Sequence, residues 1–134
     1  MTGKAMNKAK YFQPSEFRRC TPPCSIDDMQ PNFLTLLDAI RERAGIPLVL
    51  NSAYRSKEYE NQKGRSGNSA HTYGLAVDIR CHGTNTRWKI VRAAVSLGVT
   101  RIGIGSTFVH IDTGESRGLP PNVIWTYDAN GNAV

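Results

Sequence analysis

Apolar positions recur along this chain with two different periods, and the alternation of those periods lays out the elements. Between Asn32 and Ala44, Phe33, Leu36, Leu37 and Ile40 return at three- and four-residue spacing, which predicts a helix with one stripe on a core. Asp27 or Asp28 suits its N-terminal cap, and Gly45 stands where a left-handed residue would end it. A second amphipathic helix is predicted over Thr86 to Leu97, with Trp88, Ile90, Val91, Ala94 and Val95 apolar and Gly98 closing it. Shorter apolar runs read as strands: Pro47 to Ser52, Ala76 to Ile79, Ile102 to Ile104, Phe108 to Ile111 and a last one at Val123 to Tyr127. The runs around Gly103 and Gly105 suit a hairpin. A short element is expected over Phe12 to Phe17, opening at Ser15. Residues 57–69 are polar and carry Gly64 and Gly67, which predicts a surface loop.

This order predicts one α+β domain over residues 1–134, with two helices on one face of a mainly antiparallel sheet. Residues 1–10 read as a flexible arm and 114–134 as a tail. A chain of 134 residues with 40% apolar content is enough for one core. No stretch reaches the roughly 18 apolar residues of a membrane span, and no apolar segment follows the basic N-terminus as a secretory signal would require. Seventeen basic against 11 acidic residues give a net charge of +6, which favours anionic partners such as wall polymers, membrane surfaces or nucleic acid. The basic residues are scattered and not interleaved with aromatics, so no specific nucleic-acid groove is expected. Three cysteines, Cys20, Cys24 and Cys81, are an odd number and read as small buried side chains rather than a metal site.

The densest chemistry lies in Ser69-Ala-His-Thr-Tyr-Gly-Leu-Ala-Val-Asp78 and, further on, Phe108-Val-His-Ile-Asp112. A catalytic zinc takes three protein ligands and leaves one position open. His71, Asp78 and His110 would supply two imidazoles and a carboxylate. Gly74 permits a tight turn between the first two. Spacing alone is weak evidence for such a site, because a histidine flanked by Val109 and Ile111 is more often a satisfied core residue.

The pattern Ser-x-His-x-x-Gly-x-Ala-x-Asp followed by a strand histidine resembles the zinc D-Ala-D-Ala carboxypeptidase and L-Ala-D-Glu endopeptidase family, peptidase family M15, whose fold is shared with Hedgehog signalling domains. Leu50-Asn-Ser-Ala-Tyr-Arg-Ser56 is similar to that family's Ser-x-Tyr-Arg-Ser strand end, and Arg101-Ile-Gly-Ile-Gly105 to the strand before its last ligand. The likeness spans about residues 12–113. It implies one zinc ion on His71, Asp78 and His110, a cleft opposite the helices, and Arg55 beside the substrate's carboxylate or scissile carbonyl. It also implies that Ser69 contacts substrate, the alternative being a cap on the turn before His71; Tyr54, flanking Arg55, either lines the cleft or packs. Many members place a glutamate base three residues before the last histidine; here Thr107 stands there and cannot serve. Asp112, on the same strand face as His110, is the expected replacement, with Glu115 a second candidate and a role for Asp112 in orienting His110 the competing one. His82 reads as a loop residue.

The resemblance implies a zinc peptidase that hydrolyses an amide bond of the peptidoglycan stem peptide or cross-bridge by attack of zinc-activated water, and the chain is expected to be a monomer. Size, charge and the missing signal suit a phage-type endolysin made in the cytoplasm and acting on the wall after holin-type release, or a virion component. Two alternatives are a non-catalytic zinc-containing binding module of the same fold and a basic nucleic-acid binder without metal.

Overall fold

The computed structural model describes residues 6–134. Among the described residues there are four α-helices and five strands: α1 (Pro14–Arg18), α2 (Pro31–Ala44), β1 (Leu50–Ser52), α3 (Lys57–Gln62), β2 (Ala76–Arg80), α4 (Thr84–Ser96), β3 (Arg101–Ile104), β4 (Phe108–Asp112) and β5 (Val123–Thr126). The strands form one sheet in the order β1-β2-β4-β3-β5. It is antiparallel except at one edge, where β5 runs parallel to β3. The expected α+β class with a mainly antiparallel sheet holds, and the sheet is mixed because β5 returns after the turn Gly114–Arg117 instead of closing a hairpin.

Both long helices form where the apolar stripes lie. In α2, Phe33, Leu34, Leu37 and Ile40 are buried, Pro31 sits in the first turn, and Gly45 closes the helix at φ 71°. The start differs from expectation. Asp27 and Asp28 belong to a separate 3-10 turn capped by Ser25, and Gln30 precedes the helix proper. Similarly, α1 is opened by Gln13 and Pro14 rather than by Ser15. Helix α4 buries Ile90, Ala93 and Ala94, whereas Trp88 lies on the surface with the Arg92 guanidinium 5.1 Å from its ring centre. Helix α4 packs on β4, and α2 packs on α4. Side chains alternate along β2 and β4, so Val77, Ile79, Val109 and Ile111 enter the helical core while Asp78, His110 and Asp112 point to the opposite face.

The segment expected as a loop, 57–69, begins with a helix. Ser56 accepts a hydrogen bond from Tyr59 N at 3.0 Å, and Glu58 and Glu60 lie in the first turn, where the helix dipole favours acids. Of the arm expected over 1–10, residues 1–5 lie outside the described residues. Over 6–10 the backbone amides of Met6 and Asn7 bond to the Asp27 carboxylate, and that of Lys10 to Asp38. All three cysteines are free thiols, with Cys20 and Cys81 buried.

Register then aligns the chemistry. Ser52 pairs with Asp78, Asp78 with His110, His110 with Gly103, and Gly103 with Trp125. One row across the five strands therefore carries a serine, a carboxylate, an imidazole, a glycine and an indole on one face. Gly103 is required there: a Cβ would meet the Tyr127 hydroxyl at 2.5 Å and the Trp125 Nε1 at 2.6 Å. Gly74, at φ 69°, ends the 3-10 turn Ala70–Tyr73 that returns His71 to the sheet, and a Cβ on it would strike the backbone oxygen of Asp28. Gly74→Ala combines a left-handed backbone with a backbone clash, so it should lower stability by about 2–4 kcal/mol in urea denaturation. An unchanged midpoint would mean that the turn does not constrain the fold.

Candidate metal centre

Three side chains from three elements converge on the face opposite the helices. His71 comes from the turn before β2, Asp78 from the middle of β2 and His110 from the middle of β4. Their candidate ligand atoms all lie within 4.8 Å of one another. Asp78 Oδ1 is 3.4 Å from His71 Nε2 and 3.0 Å from His110 Nδ1. Both imidazoles are buried.

The outward atom of each member is fixed by a partner. His71 Nδ1 donates to the Ala53 carbonyl at 2.6 Å, which leaves the Nε2 lone pair facing inward. His110 Nε2 donates to Asp112 Oδ2 at 2.5 Å, leaving Nδ1 inward. The second oxygen of Asp78, Oδ2, accepts from Arg55 Nη2 at 2.7 Å. With both rings neutral, three electron-pair donors therefore face one another at the centre of the cluster. A tetrahedral zinc with bonds of about 2.0–2.1 Å has donor–donor edges of about 3.3 Å, close to the two distances from Asp78 to the imidazoles. Two nitrogens and one carboxylate oxygen also match the donor set of hydrolytic zinc sites. The residues fit a divalent ion.

Protonation equilibria reflect the same convergence. Burial disfavours the imidazolium at both histidines. At His71 it prevails and holds the pKa below the usual value. At His110 the hydrogen bonds to Asp112 and Asp78 outweigh it and push the pKa up to about 8. Burial would raise Asp78, but the two imidazoles hold its carboxyl well below the ordinary range. In the metal-free protein, a proton on His110 Nδ1 occupies the place that an ion would take.

The family profile of M15 peptidases matches residues 10–112, which covers most of the chain and the whole cluster. The chain belongs to the M15 peptidase family. No curated protein matches the chain. M15 peptidases are zinc-dependent metallohydrolases that act on peptidoglycan, which agrees with the donor set found here. Among the described residues, no helix is long and apolar enough to cross a membrane.

The other expected site residues are placed less simply. Asp112 lies beyond the His110 ring from the cluster, and both of its oxygens are engaged: Oδ2 by His110, Oδ1 by Arg101 Nε at 2.6 Å and by the backbone N–H of Gly114 at 2.8 Å. That arrangement orients His110, and Asp112 is buried with both oxygens held in hydrogen bonds. Glu115 stands near Thr100 Oγ1, at 3.3 Å, and does not line the cleft. Arg55 reaches Asp78 and Ser52, while the Ser69 hydroxyl donates to Glu60 Oε1 at 2.8 Å. Tyr54 packs against the core and is not among the cleft residues, because its strand-end neighbours Ala53 and Arg55 take the positions facing the cluster.

Several cleft residues escaped the sequence reading, Arg65 among them. Glu60 is buried beneath the cluster's neighbour Arg55. Trp125 places its ring centre 5.2 Å from that of His110, and the Tyr127 ring lies tilted at 48° to Phe108 with centres 5.1 Å apart. The alternation of Val123, Trp125 and Tyr127 in β5 and beyond was the available signal, since it sends alternate side chains to one face.

Because only neutral His110 offers a lone pair on Nδ1, an ion competes with a proton below pH 8. Zinc affinity measured by chelator competition should fall about tenfold per pH unit below about 8 and level off above it. Asp112→Asn should weaken zinc by about 10- to 100-fold at neutral pH through loss of orientation of His110. A pH-independent affinity between 6 and 8 would contradict the arrangement of His110.

Proposed function

We propose that this M15 peptidase hydrolyses an amide bond of a peptidoglycan stem peptide or cross-bridge, using one zinc ion held by His71, Asp78 and His110. The observation that carries the reading is the convergence of three lone-pair donors whose outward edges are each pinned by a separate partner. Zinc, when bound there, supplies Lewis acidity toward a carbonyl and toward water at neutral pH. The chain's own groups do the rest. Ala53 and Asp112 fix the tautomers of the two imidazoles. Arg55 orients Asp78 through the 2.7 Å ion pair, acting through that carboxylate rather than on substrate. Across the cleft, burial pushes the Tyr127 phenol up to about 12, so it stays protonated and serves as a neutral hydrogen-bond donor to a developing oxyanion.

A phage-type lysin that works as a monomer on the cell wall, after holin-type release or from the virion, suits the net charge of +6 against an anionic polymer. A metal-free nucleic-acid binder draws no support from the cleft, because Arg55, Arg65 and Arg101 are each paired with a carboxylate. A second reading, a zinc-holding binding module without turnover, is favoured by one observation: the carboxylates nearest the cluster, Asp78, Asp112 and Glu60, are all engaged in ion pairs.

Digestion of purified peptidoglycan separates these readings. The zinc-loaded chain should release new amine termini at one class of amide, identified by mass spectrometry of the muropeptides. Chelation should stop the release, zinc should restore it, and His71→Ala should reduce it to background. Zinc binding without any release would establish the binding module. At saturating zinc, Asp112→Asn should keep turnover within about tenfold of the unmodified chain, whereas loss of a general base costs roughly 100- to 10,000-fold.

A further inference from the structure

Two of the three arginines that line the cleft, Arg55 and Arg65, are held very differently. Arg55 has all three nitrogens directed at protein groups: Nε donates to Ser52 Oγ at 2.9 Å, Nη2 to Asp78 at 2.7 Å, and Nη1 lies 3.6 Å from Glu60 Oε1. Its side chain is only 16% exposed. Arg65 lines the same cleft with its side chain 51% exposed, and its ion pair uses Nη1 alone, to Glu60 Oε2 at 2.6 Å.

Glu60 makes Arg65 a fixed group instead of a swinging one. Its side chain is 0% exposed, on the inner face of α3. Burial would raise its pKa, but Arg65, Ser69 and Arg55 outweigh that and hold it ionised. Oε1 accepts from Ser69 and Oε2 from Arg65, while the Arg65 backbone N–H donates to the Glu60 carbonyl at 2.8 Å. A buried carboxylate cannot release its partner without leaving a charge uncompensated, so the guanidinium is tied at one edge. The remaining edge, Nε and Nη2, has no hydrogen-bond partner among the described residues, and Ser66 and Asn68 line the same cleft.

We propose that Arg65, anchored by Glu60, is a carboxylate-binding residue of this cleft and selects peptides carrying a free carboxylate near the bond to be cut. The proposal rests on the peptidase reading above. A guanidinium edge offers two parallel N–H donors, which match the two oxygens of a carboxylate. A carboxamide offers one oxygen and turns its own N–H groups toward the other donor. The cleft therefore discriminates acid from amide, whether the carboxylate is the peptide's C-terminus or its glutamyl carboxyl.

The test uses the zinc-loaded chain and a stem pentapeptide in three forms: free acid, C-terminal amide and glutamyl amide. Calorimetric Kd and initial rate of amine release are measured together. The unmodified chain should bind the free acid about 10- to 100-fold more tightly than one of the amides, and that amide identifies the carboxylate. Arg65→Gln should erase the preference through KM and Kd, with zinc content unchanged. Arg65→Lys keeps a cation on Glu60, so it should melt with the unmodified chain yet lose most of the preference. Equal binding of all three forms, or equal losses on acid and amide in either variant, would overturn the carboxylate site. A clear acid preference in Kd with no amine release would instead refute the peptidase reading and leave the site standing.

Discussion

Three electron-pair donors pressed toward one point are unstable by themselves, and the cleft face of the domain is organised to keep them there. Asp78 Oδ1 faces two imidazole nitrogens whose protons lie on the other sides of their rings. Something positive must occupy the centre. A proton does so in the metal-free chain, which is why His110 is raised while Asp78 is lowered. A divalent ion does so more completely, since it engages all three donors at once. Each donor would turn away if its outer edge were free. Ala53, Arg55 and Asp112 prevent that, and Arg101 with Gly114 prevents Asp112 from turning in its own right.

The sheet supplies the precision that loops could not. Asp78 and His110 are direct cross-strand neighbours, and their separation follows from strand pairing rather than from side-chain reach. A slip of one residue would send both into the helical core and bring Val77 and Ile79 out, which the buried apolar face forbids. The hydrophobic pattern thus fixes the metal geometry indirectly. Only His71 arrives from outside the strands, on a turn that Gly74 closes against the backbone of Asp28.

What the sequence disclosed follows from the kind of signal each part leaves. The stripes of α2 and α4 and the apolar runs of β2, β3 and β4 were legible because burial there is apolar and periodic. Helix α3 was not, since its buried member is a carboxylate and its remaining residues are polar; only the Ser56 cap hinted at it. The three converging side chains were named correctly as neighbours, from motif order. The placement of Asp112 was harder. Alternation on β4 puts it on the His110 face, but whether its oxygens are free depends on Arg101 and on the Gly114 turn, and no spacing rule conveys that. Trp125 and Tyr127 lie beyond the stretch matched by the family profile, and their approach to the cluster depends on β5 adding in parallel.

Charge follows one logic throughout the cleft. Arg65, Glu60, Arg55 and Asp78 alternate in sign from the exposed mouth to the buried cluster, and Arg101 with Asp112 repeats the alternation behind His110. Each buried charge is compensated by a neighbour that is itself held, so removing one member strands another, at a cost of about 3–5 kcal/mol for a fully buried pair. Such a chain suits orientation and not proton traffic. Protonating a carboxylate that holds a guanidinium and an imidazole in place would weaken its grip on both. The residues that remain chemically available are those at the open end: the second edge of Arg65 and the phenol of Tyr127. The proposed substrate would then meet a cation from Arg65 and a neutral donor from Tyr127, both of which line the cleft that holds the cluster.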